Sequence, residues 1–266
     1  LRLETGRGLL TSITLGTPDA MASHQRWTAA LFGIGIGMLA GLFLYTTLLL
    51  HTRERDRSSV WFTLHLMAVT GYLLTTNGII GVEYVRIHYL QNFVEVCCIF
   101  LMQISATLFA GSFLRSHLPD TFPRFINAQA IVLGMLLALS VTLTPGSISY
   151  ILLATTLWVN ITLLLAGILS WRNGLRTALL YSIGRLSVFS TLPLAMTNLP
   201  PGMALALPIN GLTVAAFCVE ALLIAIGLAM QQREHLRCAA AGGAEQWRVV
   251  KQLVLGTVQG SHCAHG

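Results

Sequence analysis

Between Phe125 and Trp171 the chain runs for 47 residues without a single Asp, Glu, Lys or Arg. A helix that is apolar on every side is either wrapped in protein or sits in lipid. Crossing a hydrocarbon core of about 30 Å takes about 20 apolar residues, so the run is too long for one crossing and suits two. Thr144-Pro145-Gly146-Ser147 in its middle is a turn signal, which makes the segment a tight helical hairpin. Composition extends the argument to the whole chain. Charged residues make up only 10 % of the 266 and hydrophobic ones 55 %, whereas a soluble domain carries about 25 % charge to solvate its surface. A soluble enzyme, a disordered tail and a nucleic-acid-binding domain are all excluded. The net charge of +6 comes from short Arg clusters between apolar runs, with Lys251 the sole Lys. That pattern is membrane topology and not a phosphate-binding face.

The expected fold is an all-α integral membrane protein, a bundle of seven transmembrane helices. Its spans are predicted at about 27–50, 60–81, 88–113, 125–144, 147–171, 176–198 and 205–230. Residues 1–26 form an extracytoplasmic remnant or linker, 27–231 the membrane domain, and 232–266 a short tail. Leu9–Leu15 has strand-like character, and Asn77-Gly78 and Asn210-Gly211 are expected to soften helix ends. The sixth and seventh spans are separated by Leu199-Pro200-Pro201-Gly202. Transmembrane strands would alternate polar with apolar residues, and runs such as LGMLLALSVTL do not. Eleven Arg and Lys fall after spans one, three, five and seven, against four on the other side. The positive-inside rule therefore puts the amino terminus outside and the carboxy terminus in the cytoplasm.

An ionisable group within a span costs about 2.5–3.5 kcal/mol on insertion scales, so each needs a reason. Arg185, Glu220 and Glu95 are the clear cases, with His65 a weaker fourth. At about 1.5 Å per residue, Arg185 lies about 13 Å from the cytoplasmic face, counted from Arg176, and Glu220 about 20 Å, counted from Arg233. The two spans are adjacent and antiparallel, so Arg185 can reach Glu220. The pair reads as a packing ion pair, as a contact that changes partner between two receptor states, or as part of a proton or ion path. Glu95, nearer the outer face, is a hydrated interfacial carboxylate or a contact for an external ligand. His65, at about the depth of Arg185, reads as a hydrogen-bonded core histidine. The sequence Gly33-x-Gly35-x-Gly37-x-x-x-Gly41 permits close helix approach, within one bundle or at a dimer face.

No cofactor, metal or catalytic residue is expected. A retinal Schiff base needs a Lys in the last span, and Lys251 is in the tail. Haem ligation needs two facing membrane histidines, while His24, His51, His88 and His117 sit at ends or loops. HExxH, GxGxxG opening a soluble helix, and GKS or GKT are all missing. No Asp lies within a span to build an intramembrane protease. Cys97, Cys98 and Cys218 sit in apolar runs as small hydrophobes, and Cys238 and Cys263 in the tail form no CxxC.

The chain resembles the membrane module of the bacterial seven-transmembrane receptors with diverse intracellular signalling modules. The resemblance runs from about Phe32 to Arg237. Its carriers are GIGIGMLAGLFLYTTLLLHTRERDRSSVWFTLHLMAVTGYLLTTNGI, the phrase FAGSFLRSHLPDTFP after span three, and the last span INGLTVAAFCVEALLIAIGLAMQQR. Glu220, Leu228, Ala229 and Arg233 approximate the acidic residue and closing motif of the family's last span; Arg185 stands where the family more often has an apolar residue or Trp. The resemblance implies a sensor of the bacterial cytoplasmic membrane that relays an extracytoplasmic signal to a cytoplasmic cyclase, kinase or phosphatase domain, with a homodimer possible. The segments 1–26 and Cys238–Gly266 are too short for the external and output domains, so a fragment is expected. Its partners are then the bilayer, an extracytoplasmic ligand and the output domain, with no nucleic acid. On that reading Arg185 and Glu220 are the signal-coupling pair. The alternatives are a small-solute transporter or channel lined by the same polar residues, and a truncated product without activity.

Overall fold

A computed structural model of the chain describes residues 18–52, 57–76, 88–119, 121–196 and 212–233. The expectations for Leu9–Leu15, Asn77-Gly78, Leu199–Gly202, Asn210-Gly211 and the tail from Cys238 lie outside these residues. Seven helices make up the described chain: α1 (Pro18–Thr52), α2 (Arg57–Thr76), α3 (His88–Phe113), α4 (Thr121–Ser140), α5 (Pro145–Arg172), α6 (Thr177–Met196) and α7 (Leu212–Arg233). One 3-10 turn, Arg115–His117, follows α3, and no strand occurs among the described residues.

Five of the helices are long and apolar enough to cross a membrane, over Ala29–Leu48, Phe93–Phe113, Thr121–Ser140, Ser147–Arg172 and Leu212–Arg233. The other two, α2 and α6, are diluted by His65, Arg185 and several Ser and Thr residues. Both are packed within the bundle, where α2 buries Ser58, Ser59, His65 and Thr75. The first helix starts at Pro18, before its apolar run begins at Trp27, so part of the polar leading segment is helical.

The polarity of the fold is inverted relative to a protein in water. Leu48, Met135, Tyr150, Leu165 and Leu186 face outward, while Gln103, Gln129, Asn160, Arg185 and Glu220 are buried. Lipid is the only solvent in which that arrangement is favourable. Helix α3 is the hub, in contact with α2, α4 and α5. An aromatic column joins it to its neighbours: the Phe62 ring lies 5.7 Å from Phe109, which stacks at 5.2 Å on Phe113 and lies 6.0 Å from Tyr181. The last helix seats between α1, α2 and α6. Val214 and Cys218 fill the space beside Gly35, Phe217 meets Tyr72 edge-on, and the Cys218 thiol donates to the Gly35 carbonyl at 3.6 Å.

The turn inside the uncharged run is built as its residues dictate, but the two helices it joins pack against α3 more than against each other, so the hairpin is not a tight one. Helix α4 stops at Ser140, Thr144 is extended, and Pro145 opens α5 at its first position, where its missing N–H costs nothing. The far end of α5 closes on Gly174, at φ +99°. Gly174 N–H donates to Trp171 O and Leu175 N–H to Ser170 O, a left-handed cap that satisfies the orphan carbonyls. Asn173 fixes this end by donating from its amide to the His117 carbonyl at 2.7 Å. Gly174→Ala places a Cβ in the left-handed region and is expected to cost about 1–2 kcal/mol, read as lower thermal stability in detergent. An unchanged melting temperature would show that the cap is not held.

Candidate functional site

In hydrocarbon a charge persists only where another charge or a set of dipoles compensates it. One such place exists between α2, α6 and α7. Arg185 Nη1 lies 3.0 Å from Glu220 Oε1, with the two side chains 6 % and 1 % exposed. The contact is an ion pair without hydrogen-bond alignment, since Arg185 Nε and Nη2 and Glu220 Oε1 have no hydrogen-bond partner among the described residues. The close approach depends on Gly184. A Cβ there would stand 3.2 Å from Glu220 Cα and 3.4 Å from its carbonyl oxygen, so a side chain would press α7 away by a few tenths of an ångström. Ser187, one turn further on, spans the same seam toward the Ala216 carbonyl at 3.3 Å.

The sequence supplies two further supports through helical spacing. Tyr181 stands four residues before Arg185, on the same face of α6, and the guanidinium carbon lies 5.8 Å from its ring centroid. That is cation–π distance. Tyr181 is itself fixed by the Phe109 and Phe113 rings. Neither Tyr181 nor Gly184 stands out in the sequence as functional, although the i, i+4 spacing to an intramembrane Arg was the available signal.

The third titratable group is His65 on α2. Its Nε2 lies 3.9 Å from Glu220 Oε2, beyond hydrogen-bond length and within ion-pair range. Its Nδ1 lies 3.2 Å from the Met102 carbonyl and 3.4 Å from Ser105 Oγ. With the hydrogen on Nδ1 the ring donates to the Met102 carbonyl and a bare Nε2 faces the carboxylate; with it on Nε2, or in the protonated ring, an N–H faces the carboxylate. Glu220 is thus shared between an arginine on α6 and a histidine on α2, one oxygen toward each.

Three of the four polar positions singled out from the sequence therefore meet. Glu95 stands apart. It is half-buried on α3, ten residues and about 15 Å along the helix axis from Ser105, which borders His65. Among the described residues no three His, Cys, Asp or Glu side chains converge as a metal site requires.

Removing one member of a buried ion pair leaves the other uncompensated, at about 3–5 kcal/mol, while replacing both by apolar residues is often neutral. Glu220→Leu and Arg185→Met are each expected to lower the unfolding temperature strongly, and the double variant to recover most of the loss. Single variants as stable as the double would show that the pair does not hold α6 against α7.

A family model described as 7TM diverse intracellular signalling matches residues 28–231. The match runs from α1 almost to the end of α7 and covers well over half of the chain. No curated protein and no solved structure matches it.

Proposed function

From its place as a multi-pass membrane protein of the 7TM diverse intracellular signalling family, to which the chain belongs, we propose that it is the membrane-embedded relay of a bacterial sensor. All seven helices cross the cytoplasmic membrane in this reading, with the amino terminus outside and the carboxy terminus in the cytoplasm. An extracytoplasmic ligand biases the packing of the bundle, and α7 carries the bias to a cytoplasmic output domain. The chain itself catalyses nothing.

The observation that carries this reading is the shared carboxylate. A relay needs an element with two discrete arrangements whose balance an outside contact can tip. Glu220 sits on the helix that leads to the cytoplasm and has one partner at 3.0 Å and a second at 3.9 Å, on two different helices. A small rotation or slide of α7 trades one for the other, exchanging an α6–α7 contact for an α2–α7 contact. The largely apolar outer surfaces of the helices leave the charged centre as a strongly orientation-dependent interaction among the described residues.

Fusing a diguanylate cyclase after Arg237 tests the role of Glu220 through product formed in cells. Side chains on a coupling route change coupling by about 0.5–2 kcal/mol, or about 2- to 30-fold. Glu220→Gln is expected to shift basal output within that range while the protein still inserts. Output equal to the unsubstituted fusion at equal membrane abundance would remove Glu220 from the relay. Topology has its own measurement. Alkaline phosphatase fused at Gly146 is expected to be active and at Asn173 inactive; the reverse pattern would invert the orientation.

A further inference from the structure

Helix α3 has a second polar face, turned away from the charged centre. Ser105 looks toward His65, whereas Gln103 looks toward α5, and Thr107 follows it one turn on along the same face of α3. The Gln103 amide donates to Thr156 Oγ1 on α5 at 2.7 Å, and Asn160 on α5 donates to the Thr156 carbonyl at 2.8 Å. The register of α3 on α4 is fixed where Ile126 fills the space beside Gly111, its Cγ2 2.6 Å from where a Cβ would stand. The two helices are antiparallel, so one turn along from that contact Gln129 on α4 reaches the level of Thr107. Ile126, Gln129 and Leu133 form the buried face of α4.

Much of this hydrogen-bonding capacity is unused. Gln129 is 1 % exposed. Neither its amide nitrogen nor its oxygen has a partner among the described residues, and the same holds for Gln103 Oε1, Thr107 Oγ1 and Asn160 Oδ1. Five unpaired polar atoms on α3 and the two helices packed against it are costly inside a bilayer, where no bulk solvent reaches them. The set mixes donors with acceptors and carries no charge, which disfavours a cation or an anion and suits a small neutral molecule able to donate and accept together. A buried water does so, with about three hydrogen bonds each.

We propose that Gln103, Thr107, Gln129 and Asn160 form an internal water site between α3, α4 and α5, separate from the Arg185–Glu220 centre. Water there bridges α4 to α3 and α5, and Gln129 is its anchor on α4.

Radiolytic hydroxyl-radical footprinting of the full chain in lipid nanodiscs tests the site, because ordered internal water oxidises the side chains beside it. The peptides spanning 103–107 and 129–133 are expected to be oxidised several-fold faster than Leu222–Leu228, whose side chains are packed in the bundle or, like Leu222 and Ile226, turned outward to lipid. Equal rates in all three would overturn the proposal. Stability gives an independent sign. If water is bound, Gln129→Leu strips it of a partner, lowers the melting temperature and combines non-additively with Gln103→Leu, although the two glutamines share no direct hydrogen bond. If the cluster is dry, Gln129→Leu removes two unpaired groups and raises the melting temperature, and the idea fails. Should Gln129→Leu not fold, Thr107→Val in the unsubstituted background carries the same opposite signs.

Discussion

Every polar group inside this bundle has to find its partner within the protein or in water the protein holds, because the surrounding lipid offers none. That requirement makes the backbone helical in every long apolar segment described and turns leucines and methionines outward. It also draws Arg185, Glu220 and His65 together from three helices. The apolar surfaces of these helices gain little from one another in lipid, so specificity has to come from close contact and from the few polar residues. Gly184 and Glu220 combine the two. The missing side chain on α6 admits the backbone of α7, and the carboxylate that arrives with it answers the arginine next in sequence.

Helix α3 divides the interior into two regions of different character. Toward α2 it presents Met102 and Ser105 to the histidine that borders the charged centre. Toward α4 and α5 it presents neutral amides and hydroxyls. Below both, the column of Phe109, Phe113 and Tyr181 is apolar and tightly stacked. Helix α3 therefore carries neutral-polar and aromatic layers and borders the charged centre, and a displacement of α3 is felt by all three.

Much of this was legible in the sequence where the signal is local. The uncharged run with Thr144-Pro145-Gly146-Ser147 at its centre specifies a hairpin, and α4 and α5 flank that turn. Depth counted along the helices brings Arg185 within reach of Glu220. Lateral relations were harder to read. The sequence gives the height of His65 but not the rotation of α2 that turns its ring toward Glu220. Nor does it show that Tyr181 lies under the guanidinium, since both facts depend on how helices far apart in the chain pack. The start of α1 at Pro18 was missed for another reason. Polar residues such as Ser23, His24 and Gln25 end an apolar run without ending a helix.

The length of α1 has a mechanical consequence. Its 35 residues make a rod of about 52 Å at about 1.5 Å per residue, against a hydrocarbon core of about 30 Å. No break in helical structure separates the polar segment from the embedded one, so the two form one continuous rod. The fulcrum lies where Gly35 meets Val214 and Cys218. A turn of the rod at its Pro18 end would be felt there by α7, two to six residues from the carboxylate held by Arg185.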